Sequence, residues 1–294
     1  MAGNSDQEGA ICIEGELFSP VDAEVSVFDR GFLYGDSAFE VMRTYAGKPF
    51  MEQAHLERLE RSCEKLFIAF PVTLEKLSEE IQRTIQRAGL PECYVRVVVS
   101  RGRGPLALDP ASALHPVRMI YALPLKVPPD EIYEQGIALG TVSDVELSAG
   151  MALATGVKSS NYLNSILALH DVLRRECQEA VVTGVHGEIK EGSSSNLFIL
   201  RDGALLTPPR SAGVLEGITR QVVMELAAEQ GIAAIETLLF PSDLYTCQEA
   251  FITSSIREIV PVTRVDDITI GSGCPGEFTT RLLKSYRDRA GKSA

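Results

Sequence analysis

The chain has 294 residues, and its 40 Asp and Glu outnumber 28 Lys and Arg to give a formal net charge of −12. That balance argues against a phosphate-backbone partner, and 6% aromatics with no tryptophan leave little for stacking nucleic-acid bases. With 45% hydrophobic residues over this length, one large or two moderate domains with real cores are expected.

Residues 11–18 alternate around a Glu-Gly turn and read as a hairpin, and Val25 to Phe28 reads as a further extended piece. Phe39–Tyr45, Gly47–Pro49 and Phe50–Met51 read as strand, turn and strand. Residues 53–67 form a helix with Leu56, Leu59, Cys63 and Leu66 on one face, and 73–88 form a second, starting at Thr73. Tyr94–Ser100 and Arg118–Leu123 are strands. The first region (1–123) is thus a small α+β domain, and Pro124, Pro128 and Pro129 mark a connection over 124–134. The second region (135–294) reads as a strand at 137–142, a turn at Lys158 and a helix over 161–177. A strand at 179–183, a hairpin at Gly187 and a strand at 196–200 follow. A turn at 202–203, a helix over 217–230, strands near 235–239 and 249–253, and a last helix over 276–289 complete it.

The six cysteines (Cys12, Cys63, Cys93, Cys177, Cys247, Cys274) show no C-x-x-C pair and no zinc spacing, which reads as reduced thiols. The four histidines do not fall at ligand spacing with acidic residues, so no metal is expected. The first ten residues are polar and acidic, unlike a signal peptide, and no long uncharged apolar run suggests a membrane helix. A cytoplasmic location is the expectation. Gly271–Gly276 matches G-x-G-x-x-G, but the 18 residues after it leave no room for the second strand and distant carboxylate of a dinucleotide site, so it reads as a plain turn.

Lys158 is the one formal charge between Leu147 and Leu169. A lysine in such surroundings is either a surface residue on a Ser/Asn loop or one whose ammonium form is disfavoured by burial, which makes it a nucleophile suited to a Schiff base. Glu191, after a strand and before Ser193–Ser195, is either a solvated turn residue or a carboxylate able to keep a pyridine nitrogen protonated. Ile218 and Thr219 open a helix whose N–H groups either are simply capped or receive a phosphate. Thr253, Ser254 and Ser255 are turn hydroxyls or anion ligands. Arg58 is a solvated helix arginine or a bidentate phosphate ligand.

In this order the segments resemble the fold type IV pyridoxal-phosphate enzymes, the branched-chain aminotransferase (class IV) family. The likeness runs from about Glu14 to Leu283 through FDRGFLYGDSAFEVMR (28–43), HLERL (55–59) and VKSSNYLNSILA (157–168). EIKEGSSSNLFI (188–199), GVLEGITRQVV (213–223) and FITSSIREIVPV (251–262) continue it. The resemblance implies a mixed α+β and α/β two-domain fold. A small α+β N-terminal domain precedes a larger C-terminal, cofactor-binding domain with a barrel-like mixed sheet. It implies pyridoxal 5'-phosphate as cofactor, with Lys158 as Schiff-base lysine and proton shuttle, Glu191 at the pyridine nitrogen and Tyr162 near the 3-oxygen. Leu215 packs on the ring, Asn196 supports Glu191, and Arg58, Ile218, Thr219, Ser254 and Ser255 hold the phosphate. A homodimer with shared active sites is implied, and the substrate pocket includes Tyr34, Phe39, Val41 and Arg43. Arg101 or Arg103 either holds a substrate carboxylate or is a solvated loop arginine.

The specificity signals disagree. Lys158–Asn164 resembles the branched-chain KSLNYLN pattern, and Arg101–Pro110 resembles the loop of a branched-chain-like subgroup, without the histidine of the D-amino-acid loop. Val41, where many branched-chain enzymes have glycine, looks like D-amino-acid enzymes. The reading favours an aminotransferase acting on a branched-chain-like amino acid and a 2-oxo acid such as 2-oxoglutarate. A D-amino-acid aminotransferase and a 4-amino-4-deoxychorismate lyase are the alternatives.

Overall fold

The computed structural model describes residues 8–143 and 156–293. Contacts group the chain into two compact units: Met1–Lys126 with Val157–Asn161 and Ala290–Ala294, and Val127–Gly156 with Tyr162–Arg289. Dividing the sequence at 124–134 puts Lys158 in the second region, whereas the contacts assign its segment to the first. The cause is a pairing made through the backbone: Ser159 bridges Ala38, and Phe39 N donates to Lys158 O at 3.0 Å.

In the first unit a short helix α1 (Arg30–Tyr34) precedes a six-stranded sheet. Its order is β2 (Glu16–Phe18), β1 (Ala10–Ile13), β6 (Val117–Pro124), β5 (Cys93–Ser100), β3 (Ser37–Tyr45), β4 (Lys48–Pro49), antiparallel throughout. Helices α2 (Glu52–Lys65) and α3 (Leu74–Ala88) cover one face. The two periodicities meet there. Val95, Val97 and Val99 of β5 alternate inward with Ala38 and Met42 of β3, and Leu56, Leu59, Leu77 and Ile81 of the helices pack against them. Thr73 caps α3, its Oγ1 accepting from Lys76 N at 3.2 Å.

Two short expectations fail here. Residues 25–28 form no strand, because Ser26 closes a turn: its Oγ accepts from Phe28 N at 3.2 Å and its carbonyl from Asp29 N at 2.9 Å. The return strand after Gly47 is Lys48–Pro49, not Phe50–Met51, because Met51 turns left-handed (φ 56°) to start α2.

The second unit opens with α4 (Glu131–Gln135) and holds a nine-stranded mixed sheet. Its order is β12 (Ala234–Glu236), β11 (Ala204–Thr207), β10 (Asn196–Arg201), β13 (Glu249–Ser254), β14 (Glu258–Val265), β7 (Ile137–Ser143), β8 (Glu179–Thr183), β9 (Ile189–Gly192), with β15 (Ile268–Thr269) on β14. β11–β12, β14–β7 and β7–β8 are parallel and the other pairs antiparallel. A tight turn, with Gly192 N donating to Ser195 O at 2.6 Å, brings β9 back to the start of β10, so the sheet curls into a half-barrel. Four further helices are α5 (Leu163–Leu173), α6 (Ile218–Glu229), α7 (Pro241–Thr246) and α8 (Glu277–Ser293). The mixed two-part architecture expected from the sequence is present. The helix expected over 161–177 is shorter, because Glu176 turns left-handed (φ 54°) and Cys177 N reaches back to Val172 O. The uncharged stretch before Lys158 falls largely on residues 144–155, outside the described residues.

The Gly271–Gly276 segment is a turn between β15 and α8. The Glu249 carboxylate accepts from Phe278 N at 3.1 Å and Thr279 N at 2.8 Å, so the first N–H groups of α8 are already engaged by an anion. Among the described residues no helix is long and apolar enough to cross a membrane.

Leu59 is fully buried between α2 and the sheet. Leu59→Ala is expected to lower unfolding stability by about 3 kcal/mol in urea titrations followed by circular dichroism, while Leu59→Met stays within about 1.5 kcal/mol of the parent.

Candidate active site

In the first unit the alternation of β3 sorts the candidate residues by face. Ala38, Glu40 and Met42 point to α2, and Phe39, Val41 and Arg43 point to the other side. Glu40 is fully buried and meets two residues of α2 that lie three positions apart on one helix face. Arg58 donates to it from Nε at 2.6 Å and Nη2 at 2.7 Å, and His55 Nδ1 lies 2.7 Å from its second oxygen. Burial pushes the Glu40 carboxyl up, but the charge and hydrogen bonds of Arg58, with His55, bring its pKa down to about 2. Burial pushes the His55 imidazole down from its ordinary value despite the pull of Glu40. Arg58 is therefore held in one geometry by a bidentate pair.

Lys158 is half-buried on the opposite face, its Nζ 4.6 Å from the centroid of the Phe39 ring. The backbone around it is fixed by three contacts besides the Phe39 bond. Ser160 N donates to Ser37 O at 3.1 Å, Ser37 Oγ to Ser160 Oγ at 2.7 Å, and Asn161 Nδ2 to Gly35 O at 3.2 Å. Gly35 has φ 67°, and a Cβ there would lie 2.3 Å from Asn161 Oδ1, so only glycine permits this approach. Arg96 of β5 lies over the same Phe39 ring at 4.0 Å and directly opposite Val41 in register. Arg96 is not among the residues that the sequence singles out. The signal was present in YVRVVVS, where it falls on the face away from the inward valines.

The other arginines divide. Arg43 lies over the Tyr45 ring at 4.5 Å, and Tyr34 is half-buried beneath Arg30. Arg103 is exposed, beside Asp29. Arg101 is buried and donates to both Asp36 oxygens and to the carbonyls of Leu66 and Phe67. Burial raises the Asp36 carboxyl, but Arg101 and Arg30 outweigh it and hold the pKa below the usual range. These bonds make Arg101 a brace for its own loop and leave little of its guanidinium for a substrate carboxylate.

In the second unit Glu191, on β9, accepts from Asn196 Nδ2 at 3.1 Å and from Leu215 N at 3.0 Å. Asn196 Nδ2 also donates to Leu215 O at 3.0 Å, so one buried amide ties β9 to the loop that enters α6. At the end of that loop Gly217 is the N-cap of α6 and supplies no side-chain cap. A Cβ at Gly217 would lie 1.9 Å from Asn196 Oδ1. The Ile218 and Thr219 N–H groups thus open α6 without a capping side chain. Asn196 pairs with Thr253 across β10 and β13, which brings Ser254 and Ser255 to the same edge of the half-barrel. Among the described residues Thr253 Oγ1 is buried with no hydrogen-bond partner. Tyr162, half-buried, begins α5, with its carbonyl accepting from Ile166 N at 2.9 Å. A carboxylate, an uncapped helix N-terminus and a hydroxyl-rich turn gathered on one edge suit a ligand with a protonated ring nitrogen and a phosphate.

Comparison with known proteins agrees with this chemistry. The amino-transferase class IV family profile matches residues 37–265. A Methanocaldococcus jannaschii protein, provisionally named a branched-chain-amino-acid aminotransferase, is 40% identical over 278 residues, covering 95% of each chain. A D-alanine aminotransferase of Staphylococcus epidermidis is 30% identical over 278 residues, covering 94% of this chain and 96% of its own. The branched-chain amino acid aminotransferase of Escherichia coli superposes with a TM-score of 0.90 at 32% identity, covering 96% of this chain and 94% of that one. The enzyme of the same name from the archaeon Thermoproteus uzoniensis, solved with norvaline, superposes with a TM-score of 0.88 at 29% identity, covering 97% of this chain and 95% of that one. The chain is an aminotransferase and belongs to the class IV aminotransferases, in the branched-chain aminotransferase family.

Proposed function

We propose that this aminotransferase uses pyridoxal 5'-phosphate to move an amino group between a branched-chain amino acid and a 2-oxo acid such as 2-oxoglutarate, acting as a homodimer. The observation that carries this reading is the edge of the half-barrel where Asn196 holds Glu191 beside the uncapped start of α6. A buried Thr253 hydroxyl without a partner among the described residues and a glycine that admits no Cβ fit the same ligand.

When bound, the cofactor supplies an electron sink for the charge that develops at the substrate α-carbon. The chain's residues supply the rest. Glu191 is the carboxylate that keeps the pyridine nitrogen protonated. Lys158 Nζ would serve as nucleophile toward the cofactor aldehyde and as the base that carries the α-proton. Ile218 and Thr219, with Ser254 and Ser255, would receive the phosphate, and Arg58, oriented by Glu40, would donate to it. Leu215 would pack on the ring and Tyr162 would meet its 3-oxygen. Residues 1–123 form the small domain, whose Tyr34, Phe39, Val41 and Arg43, joined by Arg96, line the substrate side; residues 135–294 form the cofactor-binding domain. Arg103 is retained as a candidate for a substrate carboxylate and Arg101 as the brace of its loop.

The dimer reading rests on α5. Leu163, Ile166, Leu167 and Leu173 are 66%, 59%, 48% and 56% exposed, an apolar stripe at helical spacing that a second copy would cover. Two features favour a second substrate reading: Val41 stands where many branched-chain enzymes have glycine, and a D-alanine enzyme is 30% identical. Stopped mixing of the holoenzyme with L-Leu, L-Val, L-Glu, D-Ala, D-Glu and (R)-1-phenylethylamine separates them. Loss of the cofactor's visible absorption with the first three is expected; reaction with D-Ala and D-Glu instead would select the D-amino-acid reading. Release of 4-aminobenzoate from aminodeoxychorismate would select the lyase.

Lys158→Ala is expected to abolish turnover with an unchanged circular dichroism spectrum, and full activity in that variant would overturn the mechanism. Glu191→Gln is expected to retain cofactor yet slow turnover by roughly 100-fold. The Glu40–Arg58 pair gives a pH-dependent outcome. A carboxyl lowered from 4.5 to about 2 contributes stability that is complete above its ordinary value and fades as pH falls towards about 2. Glu40→Gln is therefore expected to melt below the parent at neutral pH, by about 3 kcal/mol for a buried guanidinium left unpaired, with the two melts converging as pH falls through that window.

A further inference from the structure

Near the edge that carries the half-buried Glu191 lies a buried carboxylate that the mechanism does not use. Glu179 opens β8 and is 1% exposed. It gathers donors from two separate turns. From the turn between β9 and β10, Ser193 donates through its N at 3.0 Å and through its Oγ, with Ser194 Oγ at 3.3 Å and Ser195 Oγ at 3.4 Å. From the turn between β13 and β14, Arg257 donates through Nη2 at 2.5 Å. Arg257 Nη2 also lies 3.0 Å from Ser194 Oγ, and Arg257 N donates to Ser254 Oγ at 3.2 Å. The first turn begins two residues after Glu191, and the second follows directly on Ser254 and contains Ser255.

We propose that Glu179 and Arg257 are positioning residues that lock these two turns to each other, and so set the spacing between the carboxylate at the ring nitrogen and the hydroxyls at the phosphate. This rests on the cofactor reading above. The physical basis is that turns of Ser and Thr have several hydrogen-bonding arrangements of similar energy. A single buried carboxylate with six protein donors, its own Ala180 N included, selects one arrangement for both. Charge matters as well as shape: an amide at 179 has one oxygen for these donors and sets an NH2 group against the rest.

The test compares wild type with Glu179→Gln, Arg257→Met and the double variant. Hydrogen exchange in the apoprotein reads the lock without the cofactor. Arg257→Met is expected to speed exchange at Ser193–Ser195, a turn to which it is not joined in sequence, and Glu179→Gln to speed exchange at both turns. Pyridoxal-phosphate affinity is expected to fall about tenfold in each single variant and no further in the double, because both remove the same coupling. The pH titration of the bound cofactor's visible absorption is expected to shift in the same variants. Arg257→Lys, which keeps the charge, is expected to recover part of the affinity. Local loosening confined to the substituted turn, with wild-type cofactor affinity and titration, would overturn the proposal. Wild-type protein that fails to bind pyridoxal phosphate would instead sink the cofactor reading, while the exchange data would still decide whether the turns are locked. Should Glu179→Gln not fold, Ser193→Ala and Ser194→Ala remove donors singly and carry the same expectations.

Discussion

The pairing of Ser159 with Ala38 governs how Lys158 is presented. A lysine on a Ser/Asn loop is ordinarily free to sweep a large volume, and most of its rotamers lead to water. Here the loop adds itself to the first residues of β3: Lys158 O receives Phe39 N, Ser160 N reaches Ser37 O, and Asn161 reaches Gly35. The Lys158 side chain then emerges on the Phe39 face, with its amine over that ring. The glycine at 35 is part of the same constraint, since a side chain there would collide with Asn161.

From that pairing onward the two-residue period of β3 does the sorting. Phe39 and Glu40 are neighbours in sequence but serve opposite faces. One forms the floor beneath the amine. The other is buried against α2, where it orients Arg58. A shift of register by one residue would exchange them, burying an aromatic where a salt bridge is needed and exposing a carboxylate beside the lysine. The inward partners Ala38 and Met42 fix the register by packing on Leu56 and Leu59, so the hydrophobic core and the candidate site are specified by the same strand.

Much of this was legible in the residues. The valine alternation of β5, the apolar stripe of α2 and the turn at Gly187 announce themselves through period and composition. The candidate residues of the second unit also lay in recognisable segments, because Asn196, Leu215 and Gly217 sit within short runs around Glu191 and α6. What the sequence could not disclose were partnerships across long separations. Nothing near Glu179 in sequence announces that its acceptors serve Ser193 and Arg257, or that Arg101 is consumed by Asp36 and two carbonyls. Short elements were equally opaque: a single serine hydroxyl turns 25–28 away from an extended form, and a left-handed Met51 moves a strand by two residues.

Two of the helix N-termini in the second unit, those of α6 and α8, show why glycine patterns alone mislead. The segment 271–276 has the more familiar glycine spacing, yet it leads into a helix whose first N–H groups are met by Glu249. A phosphate arriving there would have to displace a carboxylate already paired with that helix end. The segment 213–217 has the less familiar spacing, and its Gly217 brings no capping oxygen. Asn196, the polar side chain that crowds Gly217, directs its amide to Glu191 and Leu215. Among the described residues the start of α6 therefore has no side-chain cap. What separates the two helix starts is where the nearby carboxylate is spent: Glu249 meets the first N–H groups of α8, whereas Glu191 accepts from Asn196 Nδ2 and from Leu215 N in the loop before α6.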